Sequence, residues 1–274
     1  MLPDYHIHTR HCGHAEGRAV DYAREALARG IKEVGFADHL PNFYLPSDSP
    51  YGYLRRPLDQ IEGYLADVEE ARRRHPQLTI KLGVEVDYLP GKEAEIAQAL
   101  AGLPLDYAIG SVHFVGGWSL YDPEYYRRFS PEHIYKEYFA VLHEAVSCGL
   151  FQIIGHFDLP KLYCPPPRPM LELAQPALES LAASDLCLEI NCGALRAGLG
   201  EPFPGYEIIR WCQGEGVPIT LGSDAHKPEQ VGQGFASVKK PLMDLGYHEA
   251  AVFSKGVRSF VPLVGGSSRQ YNKL

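Results

Sequence analysis

The sequence predicts an α/β chain in which parallel strands, each followed by a helix, close into a barrel. Two observations carry this. Short apolar runs alternate with stretches of helical period seven times along the 274 residues. Histidines and carboxylates recur where these runs end, and barrels of parallel strands collect their chemistry at the C-terminal ends of the strands. Apolar content of 45% and charged content of 22% are those of an ordinary soluble globular protein, long enough for a full core.

The first run is Asp4-Tyr5-His6-Ile7-His8-Thr9, continuing into Arg10-His11-Cys12-Gly13-His14. His6 and His8 are two apart, so in an extended strand both imidazoles face one side as a pincer for a metal ion. A His-rich tract or expression tag is the bland alternative. Tyr5, Ile7 and Thr9 between and beside the histidines argue for a strand instead. Helix 18–29 comes next on a stripe of Val20, Ala23 and Leu27, with Gly30 as its stop. Strand 33–37 ends in Asp38-His39. Residues 40–56, rich in Pro, Tyr and Ser, form a connection of the length that serves as a lid or binding loop.

Helix 58–75 rests on Ile61, Leu65 and Val68 and closes before Pro76. Strand 80–86 carries Glu85 among apolar residues. An unpaired carboxylate there would be costly, so Glu85 either pairs with a base or binds metal. Helix 92–101 leads to strand 107–113, which closes on His113. Loop 114–129 holds Trp118, Tyr121, Asp122, Tyr125 and Tyr126, which either line a pocket or simply pack. Ser130 caps helix 131–148, Pro131 opens it and Gly149 ends it. Strand 152–155 runs into His156 and Asp158, and segment 160–169, with three consecutive prolines, makes a stiff surface loop. Helix 170–183 and strand 186–190, ending at Asn191, come next. Helix 204–214 and strand 218–222 then lead to Ser223-Asp224-Ala225-His226, where Asp224 and His226 share a face. About the last 30 residues are expected to form a closing helix or two. Residues 1–264 read as one domain and 265–274 as a polar tail.

His6, His8, His39, Glu85, His113, His156, Asp224 and His226 thus fall at strand ends, with His14 in an adjoining loop. Lys and Arg number 26 against 34 acids, a net charge of −8, and basic residues are not clustered, so no nucleic-acid partner is expected. No apolar run approaches the ~20 residues of a membrane span, and the N-terminus does not read as a signal peptide. Six cysteines without a CxxC spacing read as reduced thiols, which suits a cytoplasmic protein.

In order, the motifs are His6-Ile7-His8, His11 to Ala15, Ala37-Asp38-His39, Gly83 to Asp87, Gly110 to Phe114, Gly155 to Asp158 and Gly222 to His226. Together they resemble the polymerase-and-histidinol-phosphatase (PHP) family over nearly the whole chain. Gly117-Trp118 and Leu188 to Asn191 are similar to its monofunctional histidinol-phosphate phosphatases. The resemblance implies a distorted TIM-like (β/α)7 barrel with a trinuclear centre of divalent zinc, iron or manganese at the C-terminal ends of the strands. It also implies hydrolysis of L-histidinol phosphate in histidine biosynthesis. Carried over by motif, His6, His8, Glu85 and Asp224 hold the first ion. Glu85 bridges to a second held by His113 and His156, and His14, His39 and His226 hold the third. His14 is taken over His11 because His-Ala ends the family's first motif.

Two carboxylates against three divalent ions leave a formal charge of +4, which suits a phosphate dianion. Asp158 is the expected proton donor to the leaving alkoxide, and Lys161 and Arg196 are the expected phosphate contacts. Lys161 and Arg196 could equally be ordinary surface residues, and Asp38 and Asp158 could instead orient histidines. Two rival readings remain open: a PHP-type phosphodiesterase acting on small nucleotides or nucleic acid, and a non-catalytic metal-dependent binding module.

Overall fold

A strand buried on both faces needs a near-continuous apolar run, and the strands of this chain show it. In the computed structural model, which describes residues 2–263, strand β8 (Cys187–Asn191) is buried at every position. In chain order the others are β1 (Asp4–Ile7), β2 (Glu33–Phe36), β3 (Thr79–Asp87), β4 (Tyr107–Ser111), β5 (Phe114–Val115), β6 (Trp118–Ser119), β7 (Ile153–Ile154), β9 (Ile219–Gly222), β10 (Glu249–Ser254) and β11 (Val257–Pro262). The helices are α1 (Ala19–Ala28), α2 (Ile61–Arg74), α3 (Glu93–Ala101), α4 (Pro123–Arg128), α5 (Pro131–Ser147), α6 (Met170–Ala182), α7 (Gly193–Arg196), α8 (Tyr206–Gly214) and α9 (Phe235–Asp244). No described helix is long and apolar enough to cross a membrane.

Seven strands form one sheet in the order β1-β2-β3-β4-β7-β8-β9, all paired in parallel. The sheet nearly closes on itself. Just beyond β9, Ala225 bridges to Ile7, with His8 N donating to Ala225 O at 2.9 Å. The expected barrel is present, and its closing seam runs through the segment that carries His6, His8, Asp224 and His226. Inside, the Tyr107 hydroxyl donates to Tyr5 O at 2.7 Å and Phe36 O at 3.0 Å, which pins the ring across the strands. A Cβ on Gly83 would collide with that ring, so only glycine fits beneath it.

The chain's end departs from expectation. Helix α9 is present, but β10 and β11 then form an antiparallel hairpin in place of a second helix. Lys255 (φ 51°) and Gly256 (φ 76°) make a two-residue turn with both central residues left-handed, the geometry that matches strand twist. Ala251, Val252 and Phe253 pack on Tyr5, Tyr107, Ile109, Ile153 and Cys187, closing the barrel at the N-terminal ends of its strands. A four-residue apolar run has no period of its own, and a Lys-Gly turn is a weak signal. Loop 114–129 likewise contains structure: the β5–β6 hairpin turns on Gly116 and Gly117 (φ 56° and 81°), and α4 comes after it. The tail expected at 265–274 lies outside the described residues.

Candidate metal centre

Glu85 is the point on which the site converges. It projects from β3 and is 1% exposed. Its Oε2 lies 3.5 Å from both His6 Nε2 and His8 Nε2 and 3.1 Å from His39 Nδ1. Its Oε1 lies 3.0 Å from His156 Nε2 and 3.7 Å from His113 Nε2. Burial alone would raise its pKa, yet His39, His6 and His113 hold it well below the usual carboxylate range.

Around it, imidazole nitrogens meet in pairs: His6 with His8 at 3.0 Å, His113 with His156 at 3.1 Å and His14 with His226 at 2.9 Å. Asp224 Oδ1 is 3.4 Å from His8 Nε2 and 3.9 Å from His6 Nε2. The nine residues expected at a centre are therefore brought to one place, and eight of them line the floor of a cavity of about 880 Å³, with His6 buried just beneath. His11 is not among them. Its Nε2 faces Asp67 at 3.6 Å on α2.

These residues fit metal ions. At a metal–nitrogen distance of about 2.0–2.1 Å, ligands 90–110° apart sit roughly 2.9–3.4 Å from one another, which brackets the three imidazole pairs. Three histidines also have their outer nitrogen fixed. His6 Nδ1 donates to Glu189 Oε1 at 2.6 Å, His113 Nδ1 to Asp87 Oδ1 at 2.5 Å and His226 Nδ1 to Asp224 O at 3.1 Å. In the neutral ring that binds metal, each such bond sets the tautomer that leaves an Nε2 lone pair facing the cluster. His39 Nδ1 is buried without a hydrogen-bond partner among the described residues and faces Glu85. Burial pushes His8, His14 and His39 down, His14 to about 4, so their ring nitrogens remain free to bind.

The backbone is bent to serve the site. Asp224 adopts φ 54°, a left-handed conformation that a non-glycine residue holds only when its surroundings enforce it. Arg196, at the end of α7, donates to the carbonyls of Ser223 and Asp224, the latter at 2.5 Å. It also lines the cavity. Asp158 and Lys161, by contrast, do not line it. They pair with each other at 3.0 Å, while Asp158 accepts from Gly205 N at 2.9 Å and Lys161 donates to Pro202 O at 2.6 Å. They brace the loop of Phe203, which does line the cavity. Asp38 accepts from Thr9 N and from Thr9 Oγ1, and among the described residues no histidine is its hydrogen-bond partner.

The carboxylates that orient histidines are Glu189 and Asp87 instead, and sequence reasoning misses both. The signal exists. Glu189 sits in an apolar strand as Glu85 does, and the same desolvation argument applies to it. Glu189 also accepts from His156 N at 2.8 Å and from Asn191 Nδ2 at 3.2 Å, tying β7 to β8. A Cβ on Gly222 would collide with its Oε1, so the neighbouring glycine is what admits it. Glu189→Gln should weaken metal binding about 10- to 100-fold with the fold intact, as read by competition with a chromogenic chelator. Unchanged affinity would show that Glu189 only packs.

A model of the PHP domain matches residues 4–193, and one described as PHP-associated matches residues 206–245. The chain is 36% identical over 252 residues to a probable histidinol-phosphatase of Deinococcus radiodurans, covering 89% of this chain and 94% of the relative. It is 27% identical to the histidinol-phosphatase of Lactococcus lactis, covering 92% of this chain and 94% of that one. The fold is similar, with a TM-score of 0.81 at 24% identity, to a crystal structure of histidinol phosphate phosphatase from Lactococcus lactis complexed with zinc, L-histidinol and phosphate. That similarity covers 94% of this chain and 98% of the other. The match of the PHP domain to more than half of the sequence, and the 36% identity to the Deinococcus protein over nearly the full length of both chains, establish that the chain belongs to the PHP family and, within it, to the histidinol-phosphatases.

Proposed function

We propose that the cavity hydrolyses L-histidinol phosphate to L-histidinol and inorganic phosphate, in histidine biosynthesis. The observation that carries this is Glu85, a buried ionised carboxylate set between two groups of histidines on the floor of a cavity open to a small ester. Three divalent ions would be held, the first by His6, His8, Glu85 and Asp224, the second by Glu85, His113 and His156, the third by His14, His39 and His226. Imidazole and carboxylate donors suit zinc, iron or manganese. Such ions supply an activated water and neutralise the charge of the phosphoryl group.

The chain's own residues do the remainder. Asp87, Glu189 and the Asp224 carbonyl hold ring nitrogens in the tautomer that binds. Arg196, its guanidinium fixed against two carbonyls at the cavity wall, presents its remaining N–H groups to phosphate oxygens. Asp158 and Lys161 act through the wall they brace. The described cysteines are all free thiols, in keeping with a reducing cytoplasm.

Release of phosphate from L-histidinol phosphate, set beside a phosphodiester chromogen, tests the reading. Turnover of the monoester with the diester left intact is expected. Preference for the diester would make the chain a phosphodiesterase, and inertness to both would make it a binding module.

A further inference from the structure

We infer that Asp122 reads the imidazole ring of the substrate, accepting its N–H at the mouth of the cavity; this rests on the proposal that the substrate is L-histidinol phosphate. Four carboxylates line the cavity among the described residues: Glu85, Asp87, Asp224 and Asp122. The first three face histidines of the cluster. Among the described residues the hydrogen-bond partners of Asp122 are neutral, Tyr51 Oη donating to its Oδ2 at 2.7 Å and Glu124 N to its Oδ1 at 2.9 Å, while Arg127 acts on it only as a weaker, more distant charge. A carboxylate offers about four lone-pair sites, so roughly half its capacity is left for a ligand. The Tyr51 hydroxyl and the Glu124 amide also hold it below the usual carboxylate range, so it meets the ligand charged.

The surroundings suit a flat ring. Tyr51 packs on Phe114 at 5.9 Å between centroids, and Tyr121 lies 5.5 Å from the His113 ring. Tyr53 is 78% exposed and Tyr121 51% exposed, both lining the cavity. With the phosphate at the metal floor, the imidazole is the part of the ester farthest from it and the part that reaches the aromatic mouth. This protein already pairs imidazole with carboxylate twice in its own interior, at His6–Glu189 and His113–Asp87.

The competing role for Asp122 is to cap α4, whose first turn it serves. Asp122→Asn and Asp122→Ser keep a capping oxygen and remove the charge. Values of kcat/KM are measured for L-histidinol phosphate and for L-phenylalaninol phosphate, which keeps a ring and the amine but has no ring N–H. The ratio of the two should fall about 10- to 100-fold in both variants, mostly through KM. An unchanged ratio, with or without a common loss of activity, overturns the inference and leaves Asp122 a cap. Wild-type protein that does not turn over L-histidinol phosphate overturns the proposed function itself, and that arm is scored before either variant.

Discussion

Glu85→Ala is expected to remove at least about three orders of magnitude from kcat/KM, because the change takes away the carboxylate set between two groups of histidines, which the proposed centre uses as a shared ligand. Several kcal/mol of charge stabilisation at the phosphoryl group depend on ions being seated there, and each 1.4 kcal/mol is a factor of ten in rate. The loss should be accompanied by a lower metal content, read by elemental analysis of protein prepared without chelators. Glu85→Gln should behave nearly as badly, since the neutral amide keeps the shape and loses the charge that balances the ions. Chain folding should survive, because Glu85 bonds histidines of the site and its removal opens no large apolar void. An alanine variant with full activity and full metal content would remove the basis of the assignment.

The second large effect is on pH. Metal binding requires neutral imidazole, so a proton on a ligand must leave when an ion enters. Burial lowers His6 and His113, but nearby carboxylates outweigh it: Glu189, Glu85 and Asp224 raise His6 well above its ordinary value, and Asp87 and Glu85 raise His113 to about 9. In metal-free protein at neutral pH both therefore carry protons, whereas His14, at about 4, does not. Raised ligand pKa values mean that protons compete with metal throughout the range below about 9, so affinity falls as pH falls. Two displaced protons correspond to about 100-fold in affinity per pH unit. Calorimetric titration with zinc in buffers of different ionisation enthalpy should count about two protons released at pH 7. Affinity that is flat between about pH 6 and pH 8 would contradict this coupling.

The strand ends are legible in the sequence because the barrel has a simple rule: the residues just after each apolar run point to one mouth. His39, His113 and His156 each stand alone in the sequence, and the common place after a strand joins them. Loop 40–56 is legible by its length, and Tyr51, Tyr53 and Arg56 do line the cavity. The partners of the histidines are less legible. Asp38 and Asp158 sit beside histidines in sequence, yet across-sheet neighbours supply the contacts: Glu189 reaches His6 from the far side of the closing seam, 183 residues away. Adjacent strand residues point to opposite faces, so a neighbour in sequence is a poor guess for a neighbour in space. Lys161 reads as a phosphate contact because it is basic and close to His156. In the folded chain its ammonium is spent on Asp158, Glu201 and the Pro202 carbonyl. The C-terminal hairpin escapes a reading of the sequence because its turn depends on a left-handed lysine, which composition does not announce.

The most direct measurement is a metal titration of stripped protein with phosphate release from L-histidinol phosphate as the readout. The trinuclear assignment predicts no turnover in the stripped protein and activity that rises with added zinc or manganese until three equivalents per chain are bound. Full activity in metal-free protein, or activity already complete at one equivalent, would contradict it.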